Sequence, residues 1–170
     1  MGCGAIQPPP VQPELFGLLG LKRKYFLDLV DLDHAWRELS RQVHPDRFAR
    51  RSAVERRMSL QWTAHINEAR RGLRDPVQRA RYLASGRLIA KEEGGPSLDP
   101  EFLETIFELQ MEAASDPEGT QKQAKAMQQQ QQSSLEQIFV AWEAGSGALD
   151  AVEEHLARLK YLSNIVQENT

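Results

Sequence analysis

Cysteine is almost absent from this sequence: Cys3 is the only one in 170 residues. A single thiol excludes an intramolecular disulfide framework, a cysteine-built zinc site and a self-contained iron–sulfur site. Long apolar runs are missing too. The densest, Leu15-Phe16-Gly17-Leu18-Leu19-Gly20-Leu21, falls far short of the roughly 20 residues that a membrane helix needs. The first residues lack a basic region followed by an apolar stretch, so no secretory signal is expected. Ile6 stands where a myristoylation signal needs Ser or Thr. No stretch alternates apolar and polar residues between turn signals, so no sheet is predicted. The expectation is an all-α protein of a reducing, cytoplasmic compartment, with no membrane partner.

Charge is present in abundance but unevenly placed. The formal net charge of -3 conceals 16 Lys and Arg against 9 Asp and Glu in residues 1–89, and 5 against 15 in residues 90–170. The balance is therefore +7 in one half and -10 in the other, which suggests two modules with different partners. Residues 1–13 hold four of the nine prolines and no charge, and read as a flexible tail. Gly86, Gly94, Gly95 and Pro96 interrupt the pattern again, where the charge changes sign. The expected layout is a tail at 1–13, a first domain at 14–85, a linker at 86–98 and a second domain at 99–170.

Between these breaks the apolar spacing is helical. Leu32, Trp36, Leu39 and Val43 share one face of a helix that Asp31 is placed to cap. Met58, Trp62, Ile66, Ala69 and Leu73 mark a longer second helix beginning near Ala53. Asp75-Pro76 and Asp99-Pro100 each read as an N-cap followed by proline at the first helical position. The first starts a short helix through Leu83. The second starts a helix whose stripe is Phe102, Ile106, Leu109 and Ala113. Leu135, Ile138 and Trp142 mark the next, and Leu149, Val152, Leu156 and Leu159 the last. The run Gln128–Gln132 is expected on the solvated face of a long helix, with a polyglutamine interaction element as the alternative.

His44-Pro45-Asp46 follows the first long helix at once. Proline pushes its predecessor out of the helical region, so His44 begins a sharp loop between two helices that must be antiparallel to bury their stripes. An imidazole and a carboxylate at such an apex suit contact with another macromolecule. Arg37 and Arg41 lie roughly 130–170° from the apolar stripe. As like charges one turn apart they cost an isolated helix about 0.2–0.5 kcal/mol, so fold stability does not explain them. An acidic partner surface does, and Arg47, Arg50 and Arg51 extend the positive surface.

Arg41-Gln42-Val43-His44-Pro45-Asp46-Arg47-Phe48 resembles the signature of the J-domain, the module of DnaJ-type co-chaperones. Leu15-Phe16-Gly17-Leu18, Ile66-Asn67-Glu68-Ala69 with Leu73, and Asp75-Pro76-Val77-Gln78-Arg79-Ala80-Arg81-Tyr82-Leu83 resemble the HscB family of iron–sulfur co-chaperones. So do Phe102-Leu103-Glu104 with Glu108-Leu109, and Leu159-Lys160-Tyr161-Leu162. The series covers nearly the whole chain from Glu14. It implies a J-domain, an antiparallel helical hairpin with short helices, joined to a C-terminal three-helix bundle. It further implies a non-enzymatic co-chaperone that stimulates ATP hydrolysis by an HscA-like chaperone of the DnaK type and delivers the scaffold protein IscU to it. His44, Pro45, Asp46, Arg37, Arg41 and Arg47 correspond to the chaperone-binding positions. Leu103, Phe107, Glu108 and Tyr161 correspond to the scaffold contacts.

Independent of family, Leu103, Phe107 and Met111 form a second apolar stripe on their helix, about 80–160° round from the centre of the first. Tyr161 lies roughly opposite the apolar side of the last helix. Such surplus apolar surface is expected either to take a partner, with Met111 joining the scaffold contacts, or to pack against the first domain. Glu104 stands where the family commonly has methionine, and Met111 where an acid is usual. No cofactor is expected, because Cys3 alone cannot supply the four-cysteine metal module of some relatives.

Competing functions have less support. The sequence has no G-x-S-x-G, P-loop or HExxH, and His34, His65 and His155 are scattered. Nucleic-acid binding is disfavoured because Trp36 and Trp62 fall on core stripes and the acidic half repels phosphate. A general J-protein for unfolded clients is the remaining alternative. Such proteins often carry a Gly/Phe-rich linker or paired-cysteine zinc motifs, and this sequence has neither.

Overall fold

The computed structural model describes residues 6–88 and 98–168, and among them every regular element is helical. The helices are α1 (Leu15–Leu18), α2 (Leu29–Val43), α3 (Ala53–Arg74), α4 (Pro76–Ser85), α5 (Pro100–Glu112), α6 (Pro117–Glu143) and α7 (Val152–Glu168), with a 3-10 turn at Pro45–Phe48. The chain divides into two compact units, Met1–Tyr82 and Leu83–Thr170. Cys3 and most of the predicted linker lie outside the described residues.

In the first unit α2 packs along α3, and α1 and the 3-10 turn also rest on α3. Helix α2 begins one turn earlier than its apolar spacing suggests. Asp28, not Asp31, is the cap: its side chain accepts from the Val30 amide at 2.7 Å, while Asp31 lies in the first turn. An extended residue at position 28 frees its carboxylate to reach back to an unpaired amide, and position 31 is already helical. Helix α3 starts at the expected residue under a capping box. Ser52 and Glu55 satisfy each other's amides there.

Leu32, Ile66, Ala69 and Leu73 are buried between the helices, as their spacing predicts. Trp36, read as the centre of the α2 stripe, is only half-buried. Its indole nitrogen donates to the Asn67 side-chain oxygen at 2.9 Å, and the Arg70 guanidinium lies 4.2 Å from its ring centre. Arg70 and Arg74 also bind the two oxygens of Asp33 on α2. Hydrogen bonds from Arg70, then Arg74, hold that carboxylate's pKa below its ordinary value. The hairpin thus combines an apolar seam with a charged clasp along one edge.

Two further contacts tie the start of the chain to this unit. The Tyr82 hydroxyl accepts from the Leu15 amide at 2.9 Å, and its ring packs near Phe16. The Trp62 indole donates to the Gln7 carbonyl at 2.8 Å. Residues 6–13 have no regular structure, but residue 7 is held by α3 where the composition predicts a free tail.

The second unit packs α5, α6 and α7 pairwise. Asp99 caps α5, accepting from the Phe102 amide at 2.7 Å, as Asp99-Pro100 predicts. Its core joins Phe102, Ile106 and Leu109 to Ala124, Leu162 and Ile165. Leu162 and Ile165 are absent from the stripe predicted for the last helix, which continues buried for two more turns. On α6 the fully buried aromatic is Phe139, while the predicted Ile138 and Trp142 are half-buried. The helix is also far longer than its C-terminal stripe suggests, because Thr120 and Ala124 continue the buried face and are too small to register as an apolar pattern. A left-handed Gly145 ends it, with the Gly145 and Ser146 amides returning to the Trp142 and Ala141 carbonyls.

Within the glutamine run, Gln129, Gln130 and Gln132 are exposed, while Gln131 turns inward and lies 2.8 Å from His155 Nδ1 on α7. Arg158, one turn further along α7, pairs with Asp99 and Glu154 and stacks over Phe102. It thereby fixes the N-terminal end of α5 to α7.

Candidate functional site

The first site is the His44-Pro45-Asp46 turn. Helix α2 stops at Val43 because His44 is extended (φ -55°, ψ 132°), as a residue before proline prefers to be. His44 then caps the 3-10 turn. The Asp46 amide donates to its Nδ1 at 3.3 Å. The Asp46 carboxylate stands 3.6 Å from the same nitrogen, with its side chain 91% exposed. Both functional groups therefore project from a turn whose backbone is already fixed.

The support beneath the turn comes from residues on either side of it. A helix end leaves its last four carbonyls without intrahelical partners. Ser59, buried on α3, donates its hydroxyl to the Val43 carbonyl at 2.6 Å. Arg47 donates to the Arg41 carbonyl at 3.0 Å and reaches the Gln42 carbonyl at 3.5 Å. A cation there also suits the negative end of the helix dipole. Arg47 thus has a capping role that its sequence position does not reveal, and Ser59 belongs to the site although no sequence signal marks it. Phe48 is buried and anchors the far side of the turn.

An open groove of about 460 Å³ runs beside the turn, lined by Trp36, Arg37, Ser40, Arg41, His44 and Arg47. The structure therefore brings Arg37, Arg41 and Arg47 together with His44, while Arg50 and Arg51 are not among the lining residues. Arg41 also pairs with Glu38 on its own helix at 3.0 Å. An acidic surface laid along this groove meets fixed positive charge and an aromatic wall.

The second site is the outer face of α5. Leu103, Phe107 and Met111 recur every four residues, and Phe107 and Met111 are 62% and 65% exposed. Glu104, Glu108 and Glu112 follow them one residue on, also exposed, giving an apolar stripe with an acidic border. Tyr161 is exposed on α7, which packs against α5. Among the described residues no cluster of His, Cys, Asp and Glu is arranged to hold a metal ion. No helix among them is long and apolar enough to cross a membrane.

A helical hairpin presenting an exposed His-Pro-Asp turn beside a basic groove, followed by a helical bundle, defines a J-type co-chaperone. Comparison with known proteins agrees. The family model for the HSCB C-terminal oligomerisation domain matches residues 98–169. The mouse iron-sulfur cluster co-chaperone protein HscB is 30% identical over 169 residues, 98% of this chain and 71% of that protein. The co-chaperone protein HscB homolog of Bordetella pertussis is 48% identical over 89 residues. That match spans about half of each protein, 52% of this chain and 52% of the relative. The crystal structure of human co-chaperone protein HscB superposes with a TM-score of 0.75 at 27% identity, covering 97% of this chain and 84% of that one. The chain belongs to the HscB co-chaperone family.

Proposed function

We propose that the protein is a cytoplasmic adaptor that docks on an HscA-like chaperone of the DnaK type and brings to it an IscU-like iron–sulfur scaffold. The observation that carries this reading is the exposed Asp46 carboxylate, held on a braced turn at the edge of a basic groove. Arg37 and Arg41 steer an acidic chaperone surface into the groove. Asp46 then pairs with a chaperone arginine in a charge-assisted contact that is sensitive to geometry. His44 and Pro45 set that geometry. Arg47 contributes through the helix end that it caps, and its charge adds to the groove. The chain performs no bond chemistry itself; the chaperone hydrolyses ATP.

The apolar stripe Leu103, Phe107 and Met111, with Glu108 at its border and Tyr161 on α7, binds the scaffold. Exposed apolar residues in one stripe are the usual mark of a protein interface. The iron–sulfur cluster is cargo of the scaffold, and the chain needs no metal ligand of its own. The test is the ATPase rate of an HscA-like chaperone with this protein, with a scaffold, and with both. Greater than additive stimulation supports both assignments. No stimulation by the protein in any mixture overturns the first, and strict additivity overturns the second.

A further inference from the structure

A second open recess adjoins the groove beside the His-Pro-Asp turn, within the same compact unit. It holds about 600 Å³ and is lined by Asn67, Arg70, Arg71, Arg74 and Asp75, from the end of α3 and the residue after it. The two recesses meet at Trp36. This residue lines the first, while its indole nitrogen donates to Asn67 and its ring lies under Arg70, and both of these line the second. Arginine dominates both linings, and the acids among or paired with the lining residues are engaged. Glu38 pairs with Arg41, Asp33 pairs with Arg70 and Arg74, and Asp75 accepts from the Gln78 amide at 2.9 Å. Arg37 in the first recess and Arg71 in the second are exposed and stand outside these pairs.

We infer that the two recesses form one track for an extended acidic peptide segment, which runs from the His-Pro-Asp turn across Trp36 to Arg71. The inference rests on the docking reading above only for which partner supplies that segment. Trp36 lies eight residues along α2 from His44, about 12 Å, and packed helices lie about 8–10 Å apart. An extended segment of about seven residues, at roughly 3.3 Å each, covers that path. Carboxylates suit the track, because Arg70 and Arg74 already bind the two oxygens of Asp33. Nucleic acid suits it less. The Arg70 guanidinium covers one face of Trp36 at 4.2 Å, which takes that face from a stacking base. The α3 end of the track carries no sequence signal, since Arg70, Arg71 and Arg74 read there as an ordinary solvated helix end.

Octaglutamate added to the full chain is the probe, followed by the nuclear magnetic resonance signal of the Trp36 indole N–H, which Trp36→Phe identifies. The expected result is a saturable shift at low salt. Arg37→Glu and Arg71→Glu each weaken binding about tenfold, with an unchanged helical circular dichroism signal. Tetraglutamate, too short to reach both recesses, also binds about tenfold more weakly. Lys125→Glu makes the same charge change in the second unit and is expected to bind like the parent. An absent shift, an Arg71→Glu chain that binds octaglutamate like the parent, or tighter binding of octathymidylate overturns the track. In the chaperone assay, Arg71→Glu is expected to raise the concentration for half-maximal stimulation about tenfold. An unchanged concentration there, with Asp46→Asn inactive, overturns the assignment of the segment to the chaperone. Normal stimulation by Asp46→Asn overturns the docking reading instead, and the octaglutamate titration still decides the track.

Discussion

Arg47 donates its guanidinium to the main-chain carbonyl of Arg41 at 3.0 Å, so the residue after the His-Pro-Asp turn closes the helix that precedes it. Ser59 does the same for Val43 from across the hairpin. The end of α2 beneath the turn is therefore braced by contacts that make no use of the His44 or Asp46 side chains, while the His44 side chain caps the turn itself.

Ser59→Ala leaves a buried carbonyl without its donor and is expected to lower stability by about 1–3 kcal/mol. Arg47→Ala, at an exposed helix end, is expected to cost about 0.3–1 kcal/mol. Urea unfolding followed by circular dichroism measures both. An Arg47 variant as stable as the parent but deficient in chaperone stimulation would assign Arg47 to docking alone.

Asp46→Asn and His44→Gln behave in the opposite way. Both side chains are exposed, so unfolding midpoints are expected to match the parent. Stimulation of the chaperone ATPase is expected to fall to background in each, because the charge or the turn geometry is lost. Normal stimulation by either folded variant contradicts the docking assignment.

On α5, neighbouring stripes are expected to respond differently. Leu103→Ala with Phe107→Ala removes exposed surface, so scaffold affinity measured by calorimetry falls while the thermal transition stays near that of the parent. Ile106→Ala lies in the core and is expected to cost about 2–5 kcal/mol of stability. Unchanged scaffold affinity in the first variant would remove the stripe from the interface.

The second unit is also expected to weaken in mild acid. Burial first, and then the Arg158 cation, hold the His155 pKa below its ordinary 6.5. The unfolded chain therefore binds more protons than the folded chain between the two pKa values. Stability is complete above about pH 6.5 and declines as the pH drops towards the folded pKa. Unfolding free energies from about pH 8 to about pH 5 check this, with His155→Gln expected to flatten that part of the profile. A parent profile no steeper than that of the variant would exclude His155 as the source.

Much of this organisation is legible in the order of residues. Proline after Asp75 and Asp99 starts α4 and α5, because a missing amide and a fixed φ suit only the first helical position. Pro45 ends α2 for the complementary steric reason. The outward stripe Leu103, Phe107 and Met111 also follows from periodicity alone, since 3.6 residues per turn fixes which side chains share a face. The α2 cap is less legible. Asp28 and Asp31 are both suitable chemically, and the backbone conformation at position 28 decides between them.

What the sequence could not determine are contacts between residues distant along the chain. Ser59 with Val43, Trp62 with Gln7, Arg158 with Asp99 and His155 with Gln131 join separate elements through single polar atoms. Such pairs leave no periodic trace, because a single hydrogen bond between distant elements imposes no repeat along either of them. The scarcity of cysteine and of long apolar runs, the opposite charges of the two halves and the His-Pro-Asp turn belong to the sequence itself. The tertiary structure decided which arginine braces that turn and which serine holds it, because a helix end must find its hydrogen-bond donors wherever packing brings them.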